Sequence, residues 1–123
     1  VTQSSGQLSG RRILVVEDEP LIALDIKETL ESSGASVVGP AARVSDALVL
    51  AEQNDPDAAV IDVRLQGNTT TFPVAVWERG IPFIFQTSDP GLIGAAYREV
   101  PVLRKPFQPQ ELLDKIGDLL AKG

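Results

Sequence analysis

Short apolar runs alternate with amphipathic stretches along the chain. Ile13-Leu14-Val15-Val16 is continuous and rich in β-branched residues, as a strand buried on both faces requires. After Pro20, apolar residues recur at every fourth position, Ile22, Ile26 and Leu30, which predicts a helix closed by Gly34. Val37-Val38 predicts a second strand stopped by Gly39-Pro40, and Val44, Ala47, Leu48 and Ala51 a second helix ending near Asn54-Asp55-Pro56. Ala58-Ala59-Val60-Ile61 reads as a third strand, followed by a polar loop from Arg64 to Thr71. Pro73 suits the first turn of a third helix that ends at Gly80. Ile81 to Phe85 form a fourth strand, and Pro90 to Arg98 a short fourth helix weakened by Pro90, Gly91 and Gly94. Val102-Leu103 is a fifth strand, and Leu112, Leu113, Ile116, Leu119 and Leu120 mark a strong final helix. Residues 1–10, rich in Ser, Gly and Gln, read as a disordered tail, a linker or vector sequence.

Five strands and five helices in strict alternation imply a parallel sheet with right-handed crossovers and helices on both faces. The expectation is one α/β domain over residues 11–122, without internal repeats. In such an open sheet, ligands bind outside the carboxyl ends of the strands, at the topological switch point.

Composition narrows the chemistry. The net charge is −6, which argues against a non-specific nucleic-acid binder and against docking to an anionic membrane. There is no cysteine, so disulfides, thiolate metal sites and a Cys nucleophile are excluded. There is no histidine, which removes Ser-His-Asp triads and nearly every zinc site. Apolar stretches run to no more than five residues, far short of a ~20-residue span. With no export signal in view, the expected compartment is the cytoplasm.

Chemistry gathers at the predicted strand ends. Strand one ends in Glu17-Asp18-Glu19, strand three in Asp62, strand four in Thr87-Ser88-Asp89, and strand five in Arg104-Lys105-Pro106-Phe107. Each piece alone has a bland explanation. Acids before a helix favour its positive end, Asp62 caps a loop, and Lys105 is a surface charge. Together they place complementary groups on four of five strands at the ligand rim. Clustered carboxylates repel one another, and a cation among them relieves the repulsion. With only hard oxygen ligands on hand, that cation is Mg²⁺ or Mn²⁺. A carboxylate can also attack phosphorus and form an aspartyl-phosphate. Lys105 would then supply a compact charge, and Thr87 a hydroxyl donor, for the phosphoryl oxygens.

Val15-Val16-Glu17-Asp18-Glu19-Pro20, Val60-Ile61-Asp62-Val63, Phe85-Gln86-Thr87-Ser88 and Leu103-Arg104-Lys105-Pro106-Phe107 resemble, in order and spacing, the receiver domain of two-component response regulators. The resemblance implies a flavodoxin-like (βα)5 three-layer sandwich with strand order 2-1-3-4-5. It implies that Asp62 is the phosphoacceptor, and that Glu17, Asp18, Asp62 and the backbone carbonyl of Arg64 hold Mg²⁺. Thr87 would be the switch hydroxyl, Lys105 the phosphoryl partner, and the Lys105-Pro106 bond cis, the one bond type where cis is cheap. The donor would be a phosphohistidine on a histidine kinase or phosphotransfer protein, with no nucleic acid or membrane involved.

Several positions depart from the family pattern. Glu17 stands where many receivers have Asp, and Val102 occupies the usual aromatic switch position. Lys105 follows Thr87 by 18 positions, a short interval for the family. The loss falls on the fourth helix. Pro82 to Thr87 and Pro101 to Phe107 are similar to a subclass with a Phe-Ala-Thr-Gly motif and no aromatic switch. Gln86 and Ser88 replace its Ala and Gly. The subclass has a mobile fourth helix, so residues 88–99 are expected to be the most mobile part of the fold. Ser88 adds bulk beside the site, a candidate brake on phosphoryl access. Arg64 and Asp89 flank Asp62 and Thr87 and are candidates for tuning hydrolysis.

The expected function is a signalling switch with weak self-phosphorylation and autodephosphorylation, not an enzyme. It would be a single-domain regulator or the receiver of a hybrid kinase. The alternative is a pseudo-receiver that binds a partner without phosphorylation. A Mg²⁺-dependent phosphatase fits poorly, because Arg64 stands where its second acid is needed. A flavin role also fits poorly, because three acids replace the hydroxyl-rich loop after strand one.

Overall fold

The computed structural model describes residues 6–63, 80–93, 97 and 99–122. Its strands are β1 (Arg12–Val16), β2 (Ser36–Ala41), β3 (Ala58–Asp62), β4 (Phe83–Thr87) and β5 (Val102–Arg104). All adjacent pairs are parallel, in the order β2-β1-β3-β4-β5. Among the described residues the α-helices are α1 (Pro20–Ser32), α2 (Val44–Asn54) and α3 (Pro109–Lys122). None is long and apolar enough to cross a membrane. The predicted third helix and Arg64 lie outside the described residues.

The pleat sorts side chains into two cores. Leu14, Val16, Ala59, Ile61, Phe83 and Phe85 face one side, where α2 adds Ala47 and Ala51. Ile13, Val15, Val60, Ile84 and Leu103 face the other, where α1 adds Ile26 and Leu30, and α3 adds Leu112, Leu113 and Ile116. Each large aliphatic side chain buried there stabilises the fold by roughly 1.5–3 kcal/mol. β3 and β4 are buried along their whole length, which is why their sequences show continuous apolar runs rather than alternation.

α1 ends as its sequence predicts. Gly34 has φ 94°, its N–H donates to Glu31 O, and the Ala35 N–H reaches back to Leu30 O. These paired bonds satisfy the last carbonyls, and Ala35 and Leu30 share one core. α2 stops at Asp55, a non-glycine residue with φ 48°. Arg12 Nη1 covers the Asn54 carbonyl there at 2.7 Å.

Three expectations need correction. β2 does not stop at Gly39-Pro40 but runs through them to Ala41. The β1 register slips between Leu14↔Val38 and Val16↔Ala41, so β2 carries one extra residue. Gly39, at φ 98°, fits this bulge, and an edge strand tolerates the missing Pro40 N–H. Where a fourth α-helix was expected to begin, Pro90–Leu92 form a 3-10 turn, capped by Asp89 Oδ1, which accepts from the Gly91 N–H. Ile93 is already extended (φ −80°, ψ 126°), so no α-helix grows from that turn. Residues 94–96 and 98 lie outside the described set. Finally, residues 6–10 are not a loose tail. Leu8 is 1% exposed within the α1/α3 core, and its N–H donates to Ser33 O. A single apolar residue among polar neighbours carries no periodicity, so its burial depended on a gap between α1 and α3.

Candidate functional site

The pleat that builds the α1/α3 core also builds the site. Two positions beyond Val15, Val60, Ile84 and Leu103 stand Glu17, Asp62, Gln86 and Lys105. Four neighbouring strands thus deliver one polar residue each past the apolar layer, on the same face and at the same edge. Their contacts show the convergence. Lys105 Nζ lies 3.3 Å from Glu17 Oε1 and 3.6 Å from Asp62 Oδ2. Glu17 Oε1 also accepts a bond from Gln86 Nε2 at 2.5 Å, and Glu17 Oε2 accepts one from the Glu19 N–H at 3.0 Å.

Glu17, Asp18 and Asp62 each offer a carboxylate oxygen within 4.8 Å of the others. Glu17 and Asp62 are buried and Asp18 half-buried. Such acids are hard donors without nitrogen or sulfur, and they suit Mg²⁺ or Mn²⁺. Asp18 and Asp62 open on a cleft of about 210 Å³, lined also by Glu19, Thr87, Ser88, Asp89 and Lys105. Thr87 Oγ1 accepts from the Asp89 N–H at 3.0 Å, which leaves the hydroxyl proton to donate elsewhere. Thr87 O accepts the Lys105 N–H at 2.9 Å, tying the ends of β4 and β5 together. The Lys105-Pro106 peptide is cis.

Glu17, Asp18, Asp62, Thr87, Ser88, Asp89 and Lys105 therefore share one rim. Arg64 lies outside the described residues. Val102 sits away from the rim, paired with Phe85 across β4 and β5. An aromatic ring nonetheless packs on that face of β4. Tyr97 meets Phe85 edge-on at 5.6 Å and Phe83 at 6.4 Å between ring centroids. The residue that sequence reasoning missed is Gln86. Thr87 drew attention as the end of strand four, but pleat parity puts Gln86, not Thr87, on the face shared with Glu17 and Lys105.

The chain matches the response regulator receiver domain family over residues 13–117. The phyllosphere-induced regulator PhyR of Methylorubrum extorquens is 31% identical over 114 residues, covering 88% of this chain and 43% of that protein. The crystal structure of the response regulator PhyR from Brucella abortus superposes with a TM-score of 0.81 at 32% identity, covering 98% of this chain and 51% of that one. The BeF3-activated conformation of SdrG from Pseudomonas melonis Fr1 superposes with a TM-score of 0.77 at 38% identity, covering 89% of this chain and 95% of that one. The chain thus spans about half the length of the PhyR proteins it matches.

Proposed function

Since the chain belongs to the response regulator receiver domain family, we propose that it is a phosphoacceptor of a two-component relay, modified on Asp62. The observation that carries this reading is the placement of Lys105 Nζ between Glu17 Oε1 and Asp62 Oδ2, at the rim that Asp18 and Thr87 share. A carboxylate nucleophile, a fixed cation, a hydroxyl donor and an acidic cation cradle are the parts that phosphoryl transfer needs.

An oxygen of Asp62 attacks phosphorus of a phosphohistidine. The P–O bond forms as the P–N bond breaks, and the imidazole leaves with a proton from solvent. Burial fixes the Asp62 side chain at the base of the cleft. Lys105, already in contact with Asp62, neutralises charge that builds on the phosphoryl oxygens. Thr87 donates its hydroxyl proton to one of those oxygens. Glu17, Asp18 and Asp62 would hold Mg²⁺, which supplies Lewis-acid neutralisation of phosphoryl charge when bound. The donor imidazole comes from outside these residues, because the chain has no histidine. A histidine kinase or phosphotransfer protein is the partner this chemistry calls for. The role is that of a cytoplasmic switch, with turnover limited to slow self-phosphorylation from small donors and hydrolysis of its own aspartyl-phosphate.

The test is mass spectrometry after incubation with Mg²⁺ and acetyl phosphate, with Asp62→Asn alongside. One phosphoryl group gained by the wild type and absent from the variant is the expected result. No gain from acetyl phosphate or from a phosphorylated histidine protein would refute the reading and leave a phosphorylation-independent binding module.

A further inference from the structure

We infer that Gln86 is a positioning residue for the cation cradle, holding Glu17 through its side-chain amide; the inference rests on the proposed Mg²⁺ role of Glu17, Asp18 and Asp62. Gln86 is wholly buried near the carboxyl end of β4, an interior strand, directly beneath the rim. Its Nε2 donates to Glu17 Oε1, while its own Oε1 is buried with no hydrogen-bond partner among the described residues. A half-satisfied amide in a core is costly, and packing alone does not call for one. Methionine has the same length and would fill the position without an orphaned acceptor. The amide orientation follows from chemistry, since the reverse would set a carbonyl oxygen against a carboxylate.

Glu17 is one methylene longer than an aspartate and has an extra rotatable bond to restrain. Among the described residues three donors restrain it: the Gln86 amide, the Glu19 N–H and the Lys105 ammonium. They differ in what they leave for a cation. Lys105 brings a full positive charge to Glu17 Oε1 and so competes with a divalent ion for that oxygen. The Gln86 amide and the Glu19 N–H are neutral. They fix the carboxylate and leave its charge available. Gln86 thus keeps Glu17 in place when a cation takes over from Lys105, as outer partners of metal ligands commonly do.

Gln86→Met separates positioning from packing. Mg²⁺ binding by isothermal titration calorimetry and urea unfolding in chelator are measured on both proteins. The expected result is Mg²⁺ affinity weakened by about 10- to 100-fold, with an unchanged or higher urea midpoint. Affinity that stays the same or tightens, in a wild type that binds Mg²⁺, overturns the Gln86 role alone. A wild type that binds no Mg²⁺ overturns the cation cradle and the Gln86 role together. A second measurement needs no variant. The Gln86 side-chain NH2 resonances of the wild type should shift along the Mg²⁺ binding isotherm. Resonances that stay fixed at Mg²⁺ saturation overturn the proposal even if Gln86→Met fails to fold.

Discussion

Replacing Lys105 with methionine should make the protein less stable without metal, yet a tighter binder of Mg²⁺. Lys105 Nζ lies 3.3 Å from Glu17 Oε1 and 3.6 Å from Asp62 Oδ2, and its side chain is only 19% exposed. At an effective dielectric near 20, each contact is worth roughly 5 kcal/mol of attraction before desolvation takes most of it back. Without the ammonium, Glu17, Asp18 and Asp62 keep ligand oxygens within 4.8 Å of one another and no cation from Lys105. Each such pair repels by about 3.5 kcal/mol at that dielectric and by about 1 kcal/mol in water. Breaking one partner out of a buried ion pair typically costs 3–5 kcal/mol. Because Asp18 is half-exposed, a loss near 3 kcal/mol is expected, a large part of a domain's total stability. The same repulsion rewards an incoming cation, so Mg²⁺ affinity should rise at least ~10-fold, equivalent to about 1.4 kcal/mol. Phosphorylation of Asp62 should nevertheless slow by on the order of 100-fold, because the charge that meets the phosphoryl group is gone. Urea unfolding in chelator, calorimetric Mg²⁺ titration and acetyl phosphate labelling read the three effects. A Lys105→Met protein as stable as wild type in chelator, with no gain in Mg²⁺ affinity, would refute the electrostatic argument.

Three further outcomes follow from the fold. Leu8→Ala should cost about 2–5 kcal/mol in urea unfolding, since it empties a buried position between α1 and α3; no change would mean that residues 6–10 are loosely attached. Gly39→Ala should lower the thermal midpoint by the equivalent of more than ~1 kcal/mol, because φ is 98° and a Cβ would stand 2.8 Å from Ala41 N and 3.0 Å from Val15 O; an unchanged midpoint would contradict the bulge. Hydrogen bonds from Gln110 and then Gln7 hold the Asp114 carboxyl below its ordinary pKa. Their contribution is therefore present above the ordinary carboxylate range and lost as pH falls through the folded-state value. Gln7→Ala should move the Asp114 carboxyl back up in an NMR titration, and an unmoved resonance would sink that assignment.

The α/β class and the rim were legible in one dimension because both depend on local signals. Continuous apolar runs mark strands buried on two faces, and the residues that follow them fall at the sheet's carboxyl edge whatever the crossovers do. Glu17, Asp18, Asp62, Thr87 and Lys105 could be placed on that edge from strand ends alone. What needed three dimensions was everything set by cross-strand geometry. Gly39-Pro40 reads locally as a stop, yet an edge strand with a bulge carries the pair to Ala41. Leu8 reads as part of a polar tail, yet it fills a gap that exists only once α1 and α3 pack together. Gln86 reads as a strand residue beside a more conspicuous threonine. Its partner is Glu17, 69 positions away, and only parallel pairing in register brings the two ends into contact. Sequence periodicity determined which segments become strands and helices. The pleat and the strand order decided which side chains meet, because contacts between distant residues depend on register, and register is a property of the assembled sheet.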